Sequence, residues 1–182
     1  AVAGQAGLLF LEGYLFDKPK GKAAFQAAAR AARAGGGKAG ITLSDPFCVE
    51  RHRADFRGLL RELDYVIGNE HEWCALYETE DLGAALEQAA LESGLIVCTR
   101  SGHDVVIATG GDTLTVPVRA VPALDSTGAG DQFAAGFLYG VATGAPLKVA
   151  GRMGCIAAAE VISHYGARPH RAPCAIGRKE PL

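Results

Sequence analysis

Four short apolar runs, each followed by a helix-forming stretch, constrain this chain more than any other feature. Leu8 to Leu11, Lys38 to Leu43, Leu63 to Ile67 (LDYVI) and Leu95 to Thr99 (LIVCT) are too short for helices and read as buried strands. Asp17 and Pro19 open an alanine-rich helix that ends at Gly35-Gly36-Gly37. Asp45-Pro46 closes the second strand, Val49 to Leu63 reads as a helix, and acidic helices run to about Glu92. The four runs are continuously apolar rather than alternating, so each expects cover on both faces. Repeated β–α units of this kind predict an α/β fold, a mostly parallel central sheet with helices on both faces. Two shorter, polar-alternating strands are expected near 104–108 and 113–118, and final helices from Asp131 and from about Leu147. Ligands bind such sheets beyond the carboxyl ends of the strands. Asn69, Thr99 and Asp131 each follow an expected strand, so these distant residues are expected to meet along one edge.

The segment Asp125 to Gly140, DSTGAGDQFAAGFLYG, carries the chemistry. Val116 to Val121 (VPVRAV) alternates as a strand does, a glycine-rich turn follows, and Phe133, Ala134, Phe137, Leu138 and Val141 recur at helical spacing. Gly128 and Gly130 can adopt backbone angles closed to other residues and present bare N–H groups. With the positive end of the following helix, those amides suit an anion such as a phosphate. Asp131, in the first turn, could take a proton from an alcohol while the amides hold a phosphoryl group in transfer. The same residues also serve an ordinary strand–turn–helix junction with dipole compensation. The phosphate motif G-x-x-x-x-G-K-[ST] is absent, and G-x-G-x-x-G would need Gly where Phe133 stands.

Asp125 to Phe137 resembles the C-terminal signature D-[ST]-T-G-A-G-D-x-F-x-x-G-F of the ribokinase-like (PfkB) carbohydrate and nucleoside kinases. The resemblance implies that Asp131 is the catalytic base and that Gly128, Ala129 and Gly130 form the anion hole. It also implies ATP and Mg2+ as cofactors. A second match is Asn69-Glu70-His71-Glu72, where the family carries N-x-x-E to organise magnesium and its waters. Asn followed three residues later by Glu is equally a helix capping box, and both readings stand. Glu72 would act through water, since magnesium keeps several waters. A third match, Thr99 to Asp104, departs from the family's T-x-G-x-x-G: Ser101 and Asp104 replace glycines and Gly102 is displaced by one. Thr99, Ser101 and Gly102 are expected near the nucleotide, although a plain β-turn with Ser-Gly at its apex explains them too. Gly154 and Cys155, on the last helix, are implied contacts of the adenine pocket. Gly136, Gly140, Gly151 and Gly154 equally suit tight helix packing.

Within that family, ITLSDPF (Ile41 to Phe47), GNEHE (Gly68 to Glu72) and SHYGARP (Ser163 to Pro169) are most similar to adenosine kinases. The implied reaction is ATP-dependent phosphorylation of adenosine. A sugar kinase of the ribokinase or fructokinase type is the second reading, and a nucleotide-binding fragment without catalysis a third. The chain begins at Ala1 and enters AVAGQAGLLFLEGYLFD directly, which resembles the middle of a family chain. The expectation is therefore a C-terminal nucleotide-binding and catalytic part over residues 1–170, without the N-terminal part and lid. A loosely ordered tail is expected over residues 171–182.

Composition narrows the partners. The chain has 182 residues, enough for one domain with a substantial core. Lysine plus arginine number 18 against 20 acids, a net charge of −2, which implies no nucleic-acid surface. Arg51, Arg53, Arg57 and Arg61 lie along one expected helix and read as a solvated face. No apolar run approaches a membrane span, so no membrane partner is expected; the family resemblance implies a small-molecule acceptor, adenosine or a sugar. Cys48, Cys74, Cys98, Cys155 and Cys174 are scattered, odd in number and without C-x-x-C spacing. That pattern points to reduced thiols in the cytoplasm. His52, His71, His103, His164 and His170 share no metal-ligand spacing and read as structural or surface residues.

Overall fold

The structure is a computed structural model and describes residues 2–170. The expected tail and Cys174 lie outside the described residues. Among the described residues, six strands form one sheet in the order β1 (Leu8–Glu12), β2 (Lys38–Thr42), β3 (Tyr65–Asn69), β4 (Leu95–Arg100), β5 (His103–Thr109) and β6 (Asp112–Val116). β1 to β4 pair in parallel. β4–β5 and β5–β6 are adjacent strands joined by two-residue turns, a connection only antiparallel neighbours can use. The mostly parallel α/β fold expected from the apolar runs is therefore present. The described residues hold six α-helices, α1 (Gly21–Ala34), α2 (Pro46–Leu60), α3 (Glu70–Tyr77), α4 (Leu82–Glu92), α5 (Ala129–Ala142) and α6 (Leu147–Ile162). No described helix is long and apolar enough to cross a membrane.

The chain divides into two compact units. One holds the residues to Thr99 with Ala108–Thr113, the other Arg100–Ile107 with the residues from Leu114 on. In the first unit, α1 buries Phe25, Ala29 and Ala32, a stripe at helical spacing, and α2 buries Phe56, Leu59 and Leu60. The strands contribute Ile41, Tyr65, Val66, Ile96 and Val97. Gly40 has no side chain because the Tyr65 ring occupies that space, and the Tyr65 hydroxyl donates to Leu9 O at 2.8 Å. Trp73, fully buried, donates its indole N–H to Val97 O.

Three local expectations change. α2 starts at Pro46 rather than Val49, because Asp45 accepts from Cys48 N at 2.8 Å and Pro46 suits a first helical position. β3 starts at Tyr65 rather than Leu63, because Asp64 is spent in the connection. Its amide donates to Ala39 O and its carboxylate accepts from Ala39 N. The arginines of α2 are not merely a solvated face. Arg51 forks onto Asp17, Arg53 reaches Ala75 O and Glu78, and Arg57 and Arg61 converge on Glu92. They tie α2 to three other segments, partners too distant in sequence for helix spacing to show.

In the second unit, α5 and α6 approach as closely as glycine allows. A Cβ on Gly136 would stand 2.6 Å from Met153 O, and one on Gly140 2.7 Å from Ala150 Cα. From the other helix, a Cβ on Gly154 would meet the Phe133 ring and carbonyl at 2.8 Å. The tight packing expected of this pair is present. The strand expected over Val116 to Val121 is not. β6 ends at Val116, and residues 117–128 carry no strand, in keeping with the missing N–H groups of Pro117 and Pro122.

Candidate functional site

Two groups of candidate residues emerge, one in each unit. The first is the turn entering α5. Gly128 caps that helix in the left-handed conformation, φ +82°, and a Cβ there would lie 2.8 Å from the Cβ of Ala167. Both facts demand glycine. Ala129 N donates to Ser126 O at 3.1 Å, so this amide closes the turn, and Gln132 N donates to Gly128 O at 2.9 Å to start the helix. The amides of Gly128, Gly130 and Asp131 meet no acceptor among the described residues, and no side chain caps α5. Unused first-turn donors at the positive end of a helix suit an oxyanion. The Asp131 side chain is exposed in that same first turn.

Asp125 fastens the turn from behind. Its carboxylate accepts from Thr127 N and from Gly166 N, each at 2.9 Å. Donation from the Thr127 hydroxyl, then from the Gly166 and Thr127 amides, holds its pKa down at about 2. Leu124 N also donates to Ile162 O at 2.8 Å. The turn is therefore set against the segment after α6, the same SHYGARP stretch noted in the sequence. That brace was not foreseen, because its two halves lie far apart in the chain.

The second group sits at the carboxyl ends of β3 and β4, where Asn69 and Thr99 are direct register partners. Asn69 and Glu72 form the complete capping box of α3. Glu72 N donates to Asn69 Oδ1 at 3.0 Å, Asn69 N to Glu72 Oε2 at 2.8 Å, and Asn69 Nδ2 to Glu72 Oε1 at 2.6 Å. Glu72 is only 4 % exposed. Burial pushes its pKa up to about 7, the Asn69 amide pulls it down, and the nearby charge of Asp45 adds to the rise. Asp45 in turn accepts from the Tyr14 hydroxyl, which drives that phenol up to about 12. A buried carboxylate near a second one is a donor set that suits the hydrated shell of a divalent cation. It does not suit a cage of protein ligands: no group of three or more His, Cys, Asp or Glu among the described residues could hold a metal ion.

Ser101 and Gly102 form the hairpin turn between β4 and β5, with Ser101 at φ +52°. Gly154 is occupied by its packing on Phe133, and burial pushes the neighbouring Cys155 thiol up to about 11. Asp131, unlike Asn69 and Thr99, follows the coil 117–128 rather than a strand end.

The description "pfkB family carbohydrate kinase" matches residues 1–173. The chain belongs to the pfkB family. A solved adenosine kinase from Sinorhizobium meliloti is 40 % identical, with a TM-score of 0.95, over 98 % of this chain and 55 % of its own. A probable sugar kinase from Rhizobium etli superposes equally well, TM-score 0.95, at 38 % identity over 98 % of this chain and 55 % of its own. An uncharacterized sugar kinase from Archaeoglobus fulgidus is 36 % identical over 122 residues, 66 % of this chain and 48 % of that one. The chain thus spans about half the length of the pfkB relatives it matches.

For this pfkB chain the capping box and a magnesium role make different demands on Glu72. Its raised pKa means that the folded state binds a proton more tightly than the unfolded one. Stability from this group is therefore full below about pH 4.5 and lost as pH rises through about 7, of order 3 kcal/mol in all. In metal-free buffer, Glu72→Gln is expected to flatten that slope, since Gln keeps one acceptor for Asn69 and cannot ionise. Melting curves at pH 4.5 and pH 7.5 check it, and an unchanged slope would remove Glu72 as its source. A magnesium titration of turnover with the same variant separates the roles: an unaltered profile leaves capping as the whole function.

Proposed function

We propose that this chain, in its full coding context, transfers the terminal phosphoryl group of ATP to an alcohol, with adenosine as the acceptor. The observation carrying the proposal is the turn at the head of α5, where Gly128 at φ +82° leaves the Gly130 and Asp131 amides unused beside an exposed carboxylate. In this reading the Gly128, Ala129 and Gly130 backbone holds the phosphoryl oxygens, with the Ala129 amide shaping the turn. Asp131 accepts the proton of the attacking hydroxyl, the ribose 5′-OH if adenosine is bound. Asn69, Thr99, Ser101, Gly102, Gly154 and Cys155 are assigned to the nucleotide. Magnesium, when bound, offsets charge on the phosphates, and Glu72 holds one of its waters. Little covalent work is asked of the protein; positioning and electrostatics supply the rate. The scattered cysteines, without C-x-x-C spacing, fit work in a reducing cytoplasm.

Adenosine is preferred because the Sinorhizobium adenosine kinase is 40 % identical over 98 % of this chain, and ITLSDPF, GNEHE and SHYGARP agree with that choice. The Rhizobium etli likeness keeps a sugar acceptor as the second reading. Initial rates with ATP and a panel of adenosine, cytidine, ribose and fructose decide between them. The expected result is a kcat/KM for adenosine at least about 10²-fold above the sugars, a ratio that loss of base contacts would produce. A preference for ribose or fructose would transfer the assignment to the sugar kinases. ATP binding without transfer to any acceptor would leave nucleotide binding alone.

A further inference from the structure

Beyond Asp125 and the glycines, the turn entering α5 depends on a structure that its own sequence does not contain. α6 ends at Ile162, and the chain reverses: Ser163 donates from both its amide and its hydroxyl to Glu160 O. His164 folds back over the last turn of α6, its Nε2 3.6 Å from Glu160 Oε2. His170 returns to the same place. Its ring stacks on that of His164, centroids 3.6 Å apart and planes 12° from parallel, and its amide donates to Glu160 Oε1 at 2.9 Å. Both ends of the segment 164–170 are thus held by one carboxylate and one ring pair. The His164 and Glu160 side chains are only 14 % and 12 % exposed.

What this closed segment presents is specific. Gly166, at φ +92°, donates its amide to Asp125 Oδ2, and Ala167 lies where it forbids a side chain on Gly128. The conformation of the phosphate turn is therefore copied from the conformation of residues 164–170. We propose that Glu160, His164 and His170 form a clasp that sets the geometry of the anion-binding turn, as positioning residues that never touch the phosphate. The inference rests on the phosphate reading of Gly128 to Asp131. A bond of Glu160 to the His170 amide and a stacked ring pair are what a short segment needs to keep two contacts in register at once, because an unclosed segment of this length samples many conformers.

The test uses the protein in its full coding context. Glu160→Ala removes both carboxylate contacts, His170→Ala removes only the ring pair, and Glu160→Gln keeps an acceptor for the His170 amide. Two readouts are taken: hydrogen exchange without ligand of the bonded amides within 125–131, those of Asp125, Thr127 and Ala129, and KM for ATP against kcat. The expected result for Glu160→Ala and His170→Ala is faster exchange confined to 125–131 and 163–167, about tenfold, the size of one net hydrogen bond. KM for ATP rises by a similar factor with kcat less affected, the melting midpoint stays within a few degrees, and Glu160→Gln restores most of both. Unchanged exchange at 125–131 in both alanine variants overturns the clasp. So does acceleration spread evenly over α5 and α6, which marks general loosening. The exchange measurement needs no turnover, so a protein without kinase activity would refute the proposed function while the exchange still decides the clasp.

Discussion

Asn in place of Asp131 is expected to lower kcat by about 10²–10⁴, the range for loss of a positioned general base. Asn keeps the size of the side chain and its place in the first turn of α5, but cannot accept the hydroxyl proton. Because Asp131 is exposed and makes no bond among the described residues that holds the turn, the fold is expected to tolerate the change. ATP affinity should stay near that of the parent, since the Gly130 and Asp131 amides belong to the backbone and remain. Steady-state kinetics beside ATP calorimetry check this. Near-parental turnover would exclude Asp131 as the base, and loss of ATP binding together with turnover would show a binding role instead.

A second large effect is expected at Gly128. Gly128→Ala adds a Cβ at φ +82°, 2.8 Å from the Ala167 Cβ, so backbone strain and collision act together. Strain of this kind costs about 1–3 kcal/mol. The turn can relieve it only by rotating, which redirects the amides of Gly130 and Asp131 away from a common point. The expected outcome is a melting midpoint lowered by several degrees, as an energy of that size produces in a domain of this length. ATP affinity should fall at least about tenfold, since each misdirected charge-assisted bond is worth about 1.5–3 kcal/mol. Gly130→Ala is the control. Nothing among the described residues stands within 4 Å of a Cβ at Gly130, and no left-handed angle is required there. That variant should keep its stability, so that only a direct approach of phosphate to the backbone would make it weaken ATP. Equal behaviour of the two variants in the melt would contradict the geometric account.

Much of the fold was legible because its causes are local. Continuously apolar runs ending near Leu11, Leu43, Ile67 and Thr99 became β1 to β4, and the helices between them follow from stripes such as Phe25, Ala29 and Ala32. The capping box of Asn69 and Glu72 was readable for the same reason, since all its atoms lie within four residues. The misread places are those where a distant partner decides. Alternation in VPVRAV suggested a strand, yet two prolines remove donors a ladder needs. The ion pairs of the α2 arginines were not legible because Asp17, Glu78 and Glu92 are remote in sequence, although Arg51 and Arg61 are exposed as expected. The site shows the same division. Gly128 and Asp131 follow from their own segment, whereas the brace from Gly166 and Ala167 and the buried state of Glu72 arise only on folding.

The central claim is that the turn at the head of α5 receives the phosphates. Titration of ATP into the isotope-labelled protein, in its full coding context, with the backbone amide signals of Gly128, Gly130 and Asp131 followed, tests that claim most directly. The account predicts downfield shifts of the Gly130 and Asp131 amides that saturate with ATP and are weaker with adenosine alone, because a phosphate oxygen becomes their acceptor. Saturable ATP binding that leaves those amides unmoved, while signals elsewhere shift, would contradict it.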